Sequence, residues 1–212
     1  MIVAMARELG AGGRDVGERT AAQLNAELLD KQIVDLVAAR IGAPASYVAQ
    51  RDENVEGFVE RLFRAITAAD PEAYSAARTP DWSEERLVRL TADIISERAA
   101  ERSVVVIGRG APSLLKDRAG ILRVFVSAPC DVRCLRVMQR AGCSAEEAAR
   151  KIKDSDRHRA AYVQQYYGIV WQDHHNYDLV VNTGRLTPEA AGRLIADAAR
   201  ELEAKRNRPR PM

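Results

Sequence analysis

The run SVVVIG (residues 103–108) constrains this chain more than any other stretch. Its consecutive β-branched residues leave no polar side to face water, so a strand made from it is buried on both faces, as in a parallel sheet. Parallel neighbours must be joined by crossovers, usually helical, and the flanking sequence supplies them. Residues 2–6, a very short run ending near Asp30, ILRVFVSA (121–128) and YDLVVNT (177–183) read as the other strands. Helices are expected over 14–25, over KQIVDLVAARIG with Gly42 closing it, over 131–140 and from 145 to about 167. A long helix ends at Glu101, opened by a capping box of Asp81 and Glu84, with Leu87, Leu90, Ile94 and Ile95 on one face. Ser144 and Glu147 cap the stretch from 145, and Thr187 followed by Pro188 starts the last helix. Residues 43–80 are the least regular, with helical pieces around 47–51 and 55–69. Strands alternating with helices predict an α/β fold, a parallel sheet of about five strands flanked by helices with right-handed crossovers.

In such sheets ligands bind beyond the carboxyl ends of the strands. That rule selects the glycine-rich turn after the first strand, Asp30 after the second, Gly108-Arg109-Gly110 after the third and Asn182-Thr183 after the last. In RELGAGGRDVGERTA (7–21), Gly10, Gly12 and Gly13 allow a tight turn whose amides, helped by a helix N-terminus, can face an anion. Arg7 and Arg14 flank it. The turn does not match GxxxxGK[ST], because both the lysine and the Mg²⁺-binding hydroxyl are missing. Further on, KIKDSDRHRAAYVQQYYG (151–168) packs Lys151, Lys153, Arg157, His158 and Arg159 around Asp156. An acid embedded among these cations suggests an ordered network in which Asp156 orients Arg157 and Arg159. His158 reads as a surface residue, and Tyr162, Tyr166, Tyr167 and Trp171 read as packing against the sheet rather than as a platform for a base.

Hydrophobic content of 47% with 29% charged residues fits a globular chain, and a net charge of +2 argues against a nucleic-acid or membrane partner. There are five lysines among 32 basic residues, and arginine's planar fork suits bidentate phosphate contacts. No stretch approaches the ~18 apolar residues of a membrane span, and a soluble, cytoplasmic protein is expected. Three cysteines, Cys130, Cys134 and Cys143, cannot all pair within one chain and read as buried reduced thiols rather than metal ligands.

Taken together, these motifs resemble the nucleoside monophosphate kinases and most closely the cytidylate kinase-like family, in co-linear order nearly end to end. ARELGAGGRDVGERTAAQL is similar to that family's altered phosphate loop, and LLDKQIV to the start of its acceptor-binding region. VVVIGRGA resembles its strand ending in Gly-Arg, DRHR its lid motif, and VVNTGRLTPEAAGRLI its closing strand and helix. The resemblance implies a three-layer P-loop NTPase-like fold in a single domain over 1–206, with a helical acceptor-binding region at 31–80, a lid at 145–170 and a disordered tail at 207–212.

It also implies transfer of the ATP γ-phosphoryl group to a nucleoside monophosphate, most simply CMP or dCMP, with Mg²⁺. Gly10, Ala11, Gly12, Gly13, Arg14 and Asp15 would hold the donor phosphates, and Arg14, Arg157 and Arg159 would act in catalysis. Asp30, Arg109 and Asp156 would serve the acceptor side. Asp15 stands where a hydroxyl belongs and is the candidate metal ligand. ATP and the acceptor are the expected partners of a monomer or homodimer. A nucleotide-binding module without catalysis, and a kinase of another small molecule, remain open alternatives on the residues alone.

Overall fold

In the computed structural model the described residues are 1–40 and 84–207. The expectations for Gly42, for 47–51 and 55–69, for the Asp81 cap and for the tail beyond 207 therefore lie outside the described residues.

Five strands form one parallel sheet: β1 (Ile2–Arg7), β2 (Glu27–Leu29), β3 (Val104–Ile107), β4 (Ile121–Ser127) and β5 (Leu179–Asn182). Their spatial order is β2-β3-β1-β4-β5. Val104, Val105, Val106 and Ile107 lie opposite Ile2, Val3, Ala4 and Met5 of β1, between β1 and β2. The connecting helices are α1 (Gly13–Leu24), α2 (Gln32–Arg40), α3 (Glu84–Glu101), α4 (Ala111–Leu114), α5 (Cys130–Ala141), α6 (Ala145–Tyr167) and α7 (Pro188–Asn207). Two elements carry no sequence signal strong enough to predict: the single turn α4, with proline in its first turn, and a 3-10 turn over His174–Asn176. Ser144 Oγ accepts the Glu147 amide at 3.2 Å and caps α6, as its sequence requires, and Thr187 Oγ1 does the same for α7 through the Ala190 amide.

The sheet separates two cores, and β3 feeds both. Val104 and Val106 turn to one side and pack with Leu29, Ile33, Val37, Leu87, Ile94 and Ile95. Val105 and Ile107 turn to the other side and pack with Met5, Val16, Val124, Val126, Ala191 and Ile195. A strand with an apolar layer on each face has no position for a polar residue, which explains the unbroken SVVVIG run. The cysteines correct the sequence reading: Cys130 is exposed at the start of α5, and Cys134 and Cys143 are only partly covered, because that face of α5 meets the slender α6 rather than the sheet. Among the described residues no helix is long and apolar enough to cross a membrane.

Candidate active site

The chain leaves β1 at Arg7 and turns back into α1 through Glu8–Gly12. Gly10 holds φ 81° and Gly12, the α1 N-cap, φ 71°, both in the left-handed region open to glycine. Gly10 is also required sterically, since a Cβ there would stand 2.8 Å from the Arg133 carbonyl oxygen. Each flank of the turn is tied down by a different element. The Leu9 amide donates to Asp156 Oδ1 at 2.9 Å, and Thr183 Oγ1, just beyond β5, donates to the Ala11 carbonyl at 2.7 Å. Arg136 donates to the Gly10 carbonyl at 3.3 Å and to Thr183 Oγ1 and the Thr183 carbonyl at 2.9 and 2.8 Å. The first-turn amides of α1 have no partner within the helix, by the geometry of any helix start, and they follow this fixed turn.

Above the turn lies a cluster of arginines around one carboxylate. Asp156 pairs with Arg133 Nη1 at 2.5 Å through one oxygen and with Arg159 Nη1 at 3.1 Å through the other. Arg133 also donates to the Leu9 carbonyl and approaches Glu8, and Arg159 donates to the Arg7 carbonyl at 3.2 Å. Glu8 in turn accepts from the Ala128 amide and from Gln172. Burial pushes the Arg159 pKa down to about 9, Arg7 and Arg133 push the same way, and Asp156 offsets only part of this. Chiefly because it is desolvated, this guanidinium is costly to keep charged, a cost that an arriving anion relieves.

On the other side of β1, Arg7 reaches across the end of β3. Its guanidinium packs on Gly108, where a Cβ would stand 3.0 Å from its Cζ, and comes within 4.0 Å of Asp30 Oδ1 at the end of β2. Arg109 follows in the left-handed region at φ 58°. The carboxyl ends of β1, β2 and β3 thus bring Arg7, Asp30 and Arg109 to one edge of the cleft, with the Asp156 cluster beside it.

Two expected members lie apart from this cluster. Arg157 was expected to be oriented by Asp156, but it is 66% exposed and donates to Asp154 at 3.1 Å instead. One residue turns the helix by about 100°, so neighbours on α6 cannot share a face. Arg14 is exposed on α1, bonded to Glu18 at 2.9 Å, and this bond raises its pKa with smaller contributions from Asp30 and Asp15. His158 is on the surface, and Trp171 is buried edge-on against Phe125 at 5.4 Å, so neither meets the cleft. Conversely, Arg133, Arg136 and Glu8 went unread in the sequence. Arg133 and Arg136 are three apart on the helix after β4, and the strand-end rule applied to β4 as well would have reached them.

A hard cation such as Mg²⁺ takes oxygen donors, and the exposed Asp15 carboxylate in the first turn of α1 fits that chemistry. Among the described residues three metal-donor side chains converge elsewhere, at Asp173, His174 and His175 on the exposed turn before β5. Two imidazoles are poor partners for Mg²⁺.

The family model described as the cytidylate kinase-like family matches residues 2–185. A cytidylate kinase from Pyrococcus horikoshii is 35% identical over 107 residues, which is 50% of this chain and 55% of that protein. The match thus spans little more than half the length of such curated relatives. Among solved structures, an uncharacterized protein from Eubacterium ventriosum superposes with a TM-score of 0.69 at 22% identity, covering 94% of this chain and 98% of that one. A shikimate kinase from Bacteroides thetaiotaomicron gives a TM-score of 0.53 at 18% identity, covering 96% and 98% of the two chains. At such identities these likenesses speak for the fold, a three-layer α/β fold of the kind used by P-loop kinases.

Proposed function

We propose that this chain, which belongs to the cytidylate kinase-like family, transfers the γ-phosphoryl group of ATP to a nucleoside monophosphate, with CMP or dCMP as the acceptor. The observation that carries the reading is the convergence of Arg7, Arg133 and Arg159 on a glycine turn, with Arg159 desolvated beside two other arginines. Phosphoryl transfer needs little covalent help. Its transition state spreads charge over the transferring oxygens, and catalysis is mostly positioning and neutralisation.

In this reading the amides of Gly12–Asp15 receive the donor phosphates. Arg133 and Arg159, already oriented by Asp156, close on the transferring group in place of the lysine that the loop lacks. Arg7 and Arg109 take the acceptor phosphate, and Asp30 meets the acceptor and keeps Arg7 extended toward it. Arg14 and Arg157 add positive charge at the rim, and residues 145–170 act as the lid. Asp15 would hold Mg²⁺, which when bound would supply charge neutralisation at the donor phosphates.

The test is ADP release by the full chain with ATP, Mg²⁺ and each of CMP, dCMP, UMP, AMP and GMP. Turnover with CMP or dCMP in preference to the purines supports the proposal. Calorimetric binding of ATP and CMP without turnover would reassign the chain as a nucleotide-binding module, and turnover with none of the five overturns the acceptor class.

A further inference from the structure

The mechanism above leaves unexplained how Arg109 keeps its conformation. It is one of two non-glycine residues at positive φ among the described residues, and such a backbone persists only where the surroundings fix it. The surroundings here are the end of α6. The Tyr167 hydroxyl donates to the Arg109 carbonyl at 3.3 Å. The Tyr167 ring lies so close over Gly110 that a Cβ there would stand 2.8 Å from its Cζ, so the ring and the turn are fitted to each other. Behind it the Tyr162 ring lies 6.3 Å from that of Tyr167, and burial is the main cause that raises the pKa of both phenols. Tyr162 is anchored in turn, with its ring 5.0 Å from that of Tyr166, and both pack on the core beneath α3 and α4.

We propose that Tyr167 is a positioning residue for the acceptor phosphate, holding Arg109 in its left-handed conformation through the main chain of the Gly108–Gly110 turn. Tyr167 grips the carbonyl and the neighbouring glycine. The same helix carries Asp156 and Arg159 about three and two turns earlier, so α6 sets the donor arginine and the acceptor arginine relative to each other. The acceptor role rests on the proposed kinase function, whereas the hold on the turn does not.

The test uses Tyr167→Phe in the full chain, which keeps the ring and removes only the hydroxyl. Peptide-level hydrogen exchange over residues 108–115 reads the turn directly, because the amides of Ala111, Ser113 and Leu114 bond back to Gly108 and Gly110. Loss of one such bond predicts exchange about five- to tenfold faster there and unchanged exchange in β1 and α1. The acceptor KM is expected to rise by about the same factor, while the ATP KM stays within about twofold. In an Arg109→Ala background the substitution should add nothing to the acceptor KM.

Unchanged exchange over 108–115 would overturn the inference, and so would an equal rise in both KM values or an additive effect without Arg109. Should the wild-type chain phosphorylate no acceptor, the kinase reading falls and the exchange result still decides this one. If Tyr167→Phe fails to fold, Tyr162→Phe, which removes the hydroxyl behind Tyr167, carries the same expectations.

Discussion

Arg159 concentrates the chemistry of this molecule in one side chain. It is bonded to the Arg7 carbonyl and to Asp156, with Arg7 and Arg133 close enough to depress its pKa. The sign of the pH effect follows. A base whose pKa falls to about 9 is charged below that pH and loses its proton above it, so it attracts ATP at neutral pH and less as pH rises through about 9. The expected result is an ATP KM that is flat from pH 7 to 8.5 and climbs above about 9, measured with the acceptor saturating. Arg159→Ala should lower kcat about a hundredfold and abolish the climb. A wild-type KM that ignores pH through 10 would contradict this role.

Among the elements, β4 and β5 show how the edge of the sheet is secured. Arg123 on β4 donates to Asp178, just before β5, from its amide at 2.9 Å and from its guanidinium at 3.1 and 2.6 Å. Burial raises the Asp178 pKa, but these bonds outweigh it and hold the carboxyl below its usual range. With both side chains about a third exposed, the pair contributes about 1 kcal/mol. A lowered carboxylate pKa stabilises the fold above the unfolded value of ~3.9, and that contribution is lost as pH falls through the folded value. Asp178→Asn should therefore cost about 1 kcal/mol in urea unfolding at pH 7, and the difference should shrink as pH falls below about 4.

The elements were legible in the sequence because their signals are local: an apolar run for β1, an unbroken β-branched run for β3, and a hydroxyl cap ahead of α6 and α7. The strand-end rule located Arg109, Asp30 and Thr183 for the same reason. Arg133 and Arg136 lie within reach of the same rule at the end of β4, but nothing local in a charged helix tells which of its arginines turns toward the cleft. Arg157 was misplaced because a motif fixes spacing along the chain, whereas the helix turn decides which side chain faces the cleft.

At the scale of the whole molecule, two faces of one sheet are filled by separate cores, and the arginine–carboxylate network of the candidate site collects at one end. β1, β2 and β3 deliver Arg7, Asp30 and Arg109, while α5 and α6 return over that end to deliver Arg133, Arg136, Asp156, Arg159 and Tyr167. In the proposed reading, this arginine-rich end braced by carboxylates receives two phosphate groups of like charge and brings them together. The account stands or falls on whether a phosphoryl group moves between them. Phosphorus NMR of the full chain with ATP, Mg²⁺ and CMP reads this without coupling enzymes. The prediction is equal accumulation of ADP and CDP with little inorganic phosphate, and ATP left intact, or lost only as inorganic phosphate with CMP unchanged, would contradict it.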